Sequence, residues 1–480
     1  MSKPTREKWS SNFSEWFRWV LDGAELYDYR YPIKGCGVWR PYGFKLRRNI
    51  LEIIRKLLDS TGHDEILLPL LIPETLLAKE SEHVKGFEGQ VYWVTRGGYD
   101  DLDVKLALRP TSETALAPML KLWIKSHADL PIKIYQIVSV FRYETKATRP
   151  LIRVREITTF KEAHTAHATF EDSERQIKEA VEIYSRFFDE LYIPYVINIR
   201  PSWDKFAGAL YTIAFDTLMP DGRVMQIGTV HNLGQNFSKA FDITYLKVDG
   251  THDYVWQTCY GISERVIAAL ISIHGDDRGL IIPPNIAPIQ IVIIPIPYKG
   301  VEEIVDKACR EVYGILVKAG FRVKYDDRED ITPGSKFYDW ELRGVPIRIE
   351  IGPKDVEEKS VTISRRDTLE RVQCKIDELE DYLRKLMKEL EESLKNRAWK
   401  WFREKIFRAE NLEEAKKILE ERKGIIELYW CGKEECGLKA EEEIGARVLG
   451  EAIDLKEEIN GKCAICGNEA KKILRLAYTY

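Results

Sequence analysis

Apolar positions recur along the chain with two periods, and those periods lay out its elements. Residues 9–31 are aromatic and amphipathic (Trp9, Phe13, Trp16, Phe17, Trp19) and predict a helix packed on the body. Phe44, Leu46, Ile50, Ile53, Ile54 and Leu57 keep helical spacing across 42–60, with Gly62 placed to cap that helix. Residues 65–73 read as an apolar strand, and the prolines inside it mark a sheet edge. Helices are predicted over 116–124 and 170–191. Between them, a run rich in β-branched residues from Ile132 to Phe141 predicts a buried strand. A polar loop with Lys146, Arg149 and Pro150 follows, and a return strand is expected from about Ile152. Alternation would put Arg142 and Glu144 on one face, and Arg153 and Arg155 on one face of the return strand. Guanidiniums beside a carboxylate suit a polyphosphate, although charges on a strand face are commonly a solvated surface.

The pattern changes after the proline-rich linker Pro283-Pro284-Asn285-Ile286-Ala287-Pro288. Strands at 289–294, 321–325 and 347–351 alternate with helices at 301–319 and 338–343, which predicts a small α/β domain with a mixed sheet. Residues 376–422 are strongly charged helices, expected to be a solvated bridge. The tail carries Cys431-x4-Cys436 and, after 26 intervening residues, Cys463-x2-Cys466. Two close cysteine pairs predict a structural tetrahedral Zn2+ site. The expected divisions are 1–284, 285–400 and 401–480.

Composition narrows the picture modestly. The 480 residues are enough for two or three domains, and 44% hydrophobic with 31% charged residues is ordinary for a globular protein. A net charge of −4 gives no bulk sign of nucleic-acid binding, so any RNA contact must be local. No signal-peptide core and no run of membrane-spanning length occur, which predicts a cytoplasmic protein without membrane partners. In that compartment Cys36, Cys259, Cys309 and Cys374 are expected to be plain core or surface thiols. The P-loop signature Gly-Lys-Ser/Thr is missing, so a nucleotide would be held by side chains on a sheet.

Several strings carry a family resemblance. Phe141-Arg142-Tyr143-Glu144, its loop and its return strand are similar to motif 2 of the class II aminoacyl-tRNA synthetases. The helix feeding the 65–73 strand resembles motif 1, which implies a homodimer. Gly261-Ile262-Ser263-Glu264-Arg265 resembles motif 3. Thr111-Ser112-Glu113 precedes a helix, and so could be only a capping box. It also resembles the loop that reads the substrate amine in the prolyl, threonyl, seryl and glycyl branch. Lys205-Phe206-Ala207-Gly208-Ala209 and the string from Gln226 through Thr229, His231 and Leu233-Gly234-Gln235-Asn236-Phe237 resemble prolyl-tRNA synthetases. The zinc tail ending in Tyr480 is similar to the archaeal and eukaryotic type, in which the terminal carboxylate docks near the active site.

This resemblance implies a mixed α/β (α+β) fold: an antiparallel-sheet catalytic domain, an α/β anticodon-binding domain and a small C-terminal Zn-binding domain. It implies an enzyme that activates L-proline with ATP and Mg2+ and charges tRNA(Pro). Arg142 would bridge the α-phosphate and the carboxylate, Glu144 would take the adenine amine, and Arg153 and Arg265 would hold the triphosphate, with Ser263 beside it. Phe160 would stack on adenine, although the return strand has one residue more than the family pattern between Arg155 and Ala163. Gln226 and Thr229 would place ATP; Thr111, Glu113, Phe206 and His231 would hold proline. Glu350, Lys354 and Asp355 would either read guanine edges of the anticodon or form a charged turn. Only residues 168–225 separate the hairpin from Gln226, so the large editing insertion of bacterial relatives is missing and misactivation of alanine or cysteine is expected. The rival readings are a threonyl, seryl or glycyl enzyme, and a non-catalytic synthetase-like tRNA-binding regulator.

Overall fold

An eleven-stranded sheet runs through the molecule, here described from a computed structural model over residues 8–79 and 88–480. In chain order its strands are β1 (Asp64–Glu65), β2 (Ile132–Phe141), β3 (Glu156–His167), β4 (Val196–Ile199), β5 (Tyr211–Leu218) and β6 (Val224–Gly234). They continue with β7 (Trp256–Ile262), β8 (Ile406–Arg408), β9 (Ile425–Trp430), β10 (Arg447–Ala452) and β11 (Lys472–Ala477). The spatial order is β8-β9-β11-β10-β4-β5-β6-β7-β3-β2-β1, antiparallel except for the outer pairs β1–β2 and β8–β9.

Four helices cover one face: α1 (Phe13–Gly23), α2 (Pro41–Asp59), α4 (Phe170–Glu190) and α5 (Arg265–Ile273); α3 (Glu113–Trp123) packs separately. Trp16, Leu46, Ile50, Tyr184, Phe187, Phe188 and Ile267 join Phe215, Val230 and Tyr260 of the sheet in one core. Because strand side chains alternate, the sequence neighbours of Val230 and Tyr260 (Thr229, His231 and Cys259) face the other side. That side carries the site.

The helix expected over 338–343 runs instead over Pro333–Leu342, capped by Thr332, and four further departures from the expected bounds each have a local cause. Helix α1 ends at Gly23 rather than continuing to 31, because Glu25 takes a left-handed conformation (φ 56°) and the chain turns into a short hairpin. The 65–73 strand divides: Pro69 offers no N–H, so Leu71–Pro73 leaves the main sheet and pairs with Asp100–Leu108. The return strand starts at Glu156 rather than 152, because Arg149 and Arg153 close a turn on each other's backbones with Leu151 left-handed at its tip. Arg153 and Arg155 therefore share no strand face: Arg153 reaches the cavity described below, while the Arg155 guanidinium stacks 4.1 Å over Tyr143.

The fourth departure is the charged stretch after 376. Helix α6 (Leu379–Arg403) is no solvated bridge; Leu379, Leu383, Leu386, Leu390 and Leu394 fill the core of the second domain. Its last turns bury Ala398 in the core under the eleven-stranded sheet and Phe402 against Val196, Val224 and Leu449, so one helix ties three cores together. The second domain has a mixed five-stranded sheet ordered Val323–Tyr325, Ile291–Pro295, Ile347–Ile351, Ser360–Arg365, Arg371–Lys375. The C-terminal unit has its own apolar cluster around Leu428, Ala440 and Leu474, yet its strands extend the eleven-stranded sheet through β10 on β4.

Candidate active site

A cavity of about 350 Å³ opens over β3, β6 and β7. Its wall includes Arg142, Glu144, Arg153, Phe160, Gln226, Thr229, Ser263 and Arg265, the residues expected around ATP. Thr111, Glu113, Phe206 and His231, expected around proline, line the same cavity. Residues more than a hundred positions apart in sequence thus meet at one place.

The guanidiniums are fixed from below. Arg142 follows the end of β2, donates from Nε to the Pro110 carbonyl at 3.1 Å, and lies 5.5 Å over the Phe160 ring. Arg265 opens α5 and donates from Nε to the Ile152 carbonyl at 2.8 Å. Burial, and then the neighbouring Arg142 and Arg153, push the Arg265 guanidinium down to about 10. A gathering of like charges in a cleft is what a polyanion would relieve. Glu144 lies at the rim with Oε2 3.9 Å from Arg153.

Two β-bulges put the remaining side chains in phase. On β3, Phe160 pairs with Val138 and Ile157 with Val140, so three steps on one strand match two on its neighbour. The extra residue of the return strand is absorbed there, and Phe160 keeps the cavity face with Glu162. The bulge is pinned from outside: Arg47 donates to Thr159 Oγ1 at 2.6 Å and the Thr158 carbonyl at 2.9 Å, Trp39 donates to Thr158 Oγ1 at 2.7 Å, and the Thr159 amide donates to Glu264 at 2.9 Å. On β6, Gly228 pairs with Phe215 and Gln226 with Asp216, which leaves Ile227 bulged and brings Gln226 to the cavity beside Thr229 and His231.

At the other end the capping-box alternative fails. Ser112 makes no side-chain cap to α3, and Glu113 faces the cavity instead. Thr111 Oγ1 donates to Glu113 Oε2, and the Cys259 thiol donates to Glu113 Oε1 at 2.8 Å. Burial, then the Glu113 charge, holds that thiol well above its ordinary pKa, so it stays a donor. The His231 ring shares a hydrogen bond with Thr212 at 2.9 Å and lies 4.6 Å from the Phe206 ring, giving this end an apolar, ring-shaped wall.

Three further residues belong to the site without a sequence signal for it. Cys259 reads as an ordinary thiol until the β7 register sets it against Glu113. Glu264 lines the cavity with its carboxyl pushed up to about 8 by burial. Arg200 gives no local signal, yet its guanidinium reaches Gln226.

Two sets lie elsewhere. Glu350 is buried between Arg348, at 3.0 Å, and Arg371; Asp355 accepts from the Gly352 amide at 2.9 Å and Thr362 at 3.2 Å; Lys354 is exposed. Cys431, Cys436, Cys463 and Cys466 bring their sulfurs within 4.8 Å of one another, with Sγ–Sγ separations of 3.6 Å (Cys431–Cys436) and 3.7 Å (Cys431–Cys466). A tetrahedron with Zn–S bonds of about 2.3 Å has edges of about 3.8 Å, so the set fits a zinc ion. The remaining cysteines form no second thiol cluster among the described residues.

The fold and cavity define a class II aminoacyl-tRNA synthetase. Residues 92–274 match the family model of the class II core domain for G, H, P, S and T, and 290–386 match the anticodon binding domain. Residues 412–480 match the C-terminal domain of prolyl-tRNA synthetase. The chain is 60% identical to the proline--tRNA ligase of Metallosphaera sedula and 58% to that of Aeropyrum pernix, over 100% of each chain in both cases. It resembles Giardia lamblia prolyl-tRNA synthetase in complex with prolyl-adenylate (TM-score 0.95, 36% identity, 99% of both chains). The Cryptosporidium parvum enzyme complexed with halofuginone and AMPPNP gives 0.95, with 35% identity and 99% of both chains. The chain belongs to the prolyl-tRNA synthetases, of archaeal and eukaryotic type, and is an aminoacyl-tRNA ligase. The threonyl, seryl, glycyl and regulator readings give way to that finding.

Proposed function

We propose that the cavity joins L-proline to ATP and then delivers it to tRNA(Pro). The observation that carries this reading is the convergence of Arg142 and Arg265 on one cavity beside Thr111 and Glu113. The proline ammonium sits between Glu113 and Thr111, and its ring lies against Phe206 and His231. Arg142 neutralises both the proline carboxylate and the α-phosphate, which lets two anions approach. Glu144 takes the adenine amine, Phe160 stacks on the base, and Arg153, Thr229, Ser263 and Arg265 hold the ribose–triphosphate. Gln226 offers a hard oxygen donor suited to the Mg2+ that ATP carries, whose part is to neutralise the triphosphate. A carboxylate oxygen attacks the α-phosphorus, the bond to the β-phosphate oxygen breaks, and prolyl-adenylate and pyrophosphate form. The 3′-hydroxyl of the tRNA terminal adenosine then attacks the acyl carbon and AMP leaves. Position and charge do the work; no side chain is needed as a strong base.

The second domain takes the anticodon, with exposed Lys354 the freest of its expected contacts and Glu350 and Asp355 holding the turn around it. The four cysteines hold a structural Zn2+. Leu67, 80% exposed, with Leu70 and Leu71 beside the open β1 edge, supports a homodimer. Among the described residues no helix is long and apolar enough to cross a membrane, and we place the enzyme in the cytoplasm with its tRNA. ATP–pyrophosphate exchange with a panel of amino acids tests the reading: proline is used best, and alanine and cysteine are used measurably, because each missing methylene is worth only about 1–3 kcal/mol. Preference for threonine, serine or glycine would overturn it.

A further inference from the structure

The C-terminal unit reaches the nucleotide end of the cavity through one buried arginine. Arg200 follows β4, and its side chain and that of Asp216 are both nearly inaccessible. Nη2 bonds Asp216 Oδ1 at 2.6 Å and Gln226 Oε1 at 2.9 Å, while Nη1 bonds the Leu449 carbonyl of β10 at 2.5 Å. Asp216 accepts from Asn198 at 2.9 Å, and Asn198 accepts from Arg475 of β11 at 3.3 Å. Arg475 is itself buried and bound to Asp454 at 2.5 Å and Glu427 at 3.0 Å. The polar chain is continuous from the cavity to the strands next to the cysteine cluster.

The backbone is shaped for this contact. Gly450 sits at a bulge of β10 with φ 125°, and a Cβ there would lie 2.0 Å from the Ile199 carbonyl oxygen. Only glycine lets β10 press this close and aim the preceding carbonyl at Arg200. Gln226 is brought to the cavity by its own bulge and is held there by a charge-assisted bond.

We infer that Arg200 is a positioning residue: it fixes the Gln226 side chain for ATP, and the C-terminal strand β10 fixes Arg200 in turn. The inference rests on the proposed role of Gln226 at the nucleotide. It makes the C-terminal unit part of the ATP site, independently of the terminal carboxylate.

A double-mutant cycle in ATP–pyrophosphate exchange with the full chain tests it. Arg200→Met and Gln226→Ala are each expected to raise KM for ATP about tenfold, with KM for proline changed less than about twofold. The double variant should be no worse than Gln226→Ala. If Arg200→Met does not fold by thermal melting, Arg200→Lys, which keeps the charge beside Asp216 but not the fork, replaces it in the cycle. Two results overturn the inference: multiplicative effects in the double variant, or equal losses for ATP and proline at Arg200. If Gln226→Ala leaves KM for ATP unchanged, the role of Gln226 itself falls, which separates that failure from the first.

Discussion

Replacing Glu113 by glutamine isolates the charge proposed to read the proline nitrogen. Both oxygens of Glu113 are already bonded inside the protein, one by the Thr111 hydroxyl and one by the Cys259 thiol. A carboxylate oxygen can accept more than one hydrogen bond, so the pair can also take the two N–H bonds of a secondary ammonium. Glutamine keeps the shape but removes the charge and turns one acceptor into an NH2 that must face a donor. Losing one charge-assisted bond is worth about 1.5–3 kcal/mol, which corresponds to a rise in KM for proline of roughly ten- to 150-fold. The Glu113 charge also acts on the buried Arg142, but the other nucleotide residues are untouched, so KM for ATP should change far less than KM for proline. Pyrophosphate exchange at saturating ATP, then at saturating proline, measures both. A proline KM within twofold of wild type, or parallel losses for the two substrates, would refute the assignment of Glu113 to the amine.

Further outcomes follow from the same geometry. Glu264 has its folded pKa raised to about 8, so the protein takes up a proton there on folding; that contribution is present below the ordinary carboxyl range and is lost as pH rises through about 8. Glu264→Gln should therefore melt like wild type at pH 5 and at a higher temperature at pH 9, and a lower Tm at pH 9 would contradict the cause given. Cys436→Ser should lose bound zinc by elemental analysis and lower Tm by roughly 5 °C or more; unchanged metal content would reject the cysteine set. Leu67→Glu should turn a dimer into a monomer in sedimentation velocity, and a wild-type chain that is already monomeric would remove the interface from β1.

How far the sequence could be read depended on the range of the interaction. That Arg142 and Glu144 reach one cavity was legible because Phe141-Arg142-Tyr143-Glu144 is contiguous, and the cysteine cluster because four cysteines have short spacings. Phe160 was harder: its position depends on a bulge held by Arg47, Trp39 and Glu264, none of them near it in sequence except through the fold. Cys259 and Arg200 carry no local signal at all, since a thiol next to a carboxylate and a guanidinium next to an amide exist only once β7, β6 and β10 are in register. Helix α6 departs from its charged appearance for another reason. Its charges dominate the composition, but Leu379, Leu383, Leu386, Leu390 and Leu394 repeat at three and four residues, and that stripe, not the charge density, decides which face is buried.

Equilibrium binding of proline and of ATP, measured separately by calorimetry on Arg142→Ala and Arg265→Ala, tests the shared cavity most directly. Arg142→Ala should weaken both ligands, because its guanidinium is tied to the Pro110 carbonyl next to Thr111 and lies over the Phe160 ring, whereas Arg265→Ala, with its guanidinium on the Ile152 carbonyl, should weaken ATP alone. An Arg142→Ala protein that binds both ligands like wild type, or an Arg265→Ala protein that loses proline as well, would contradict the account.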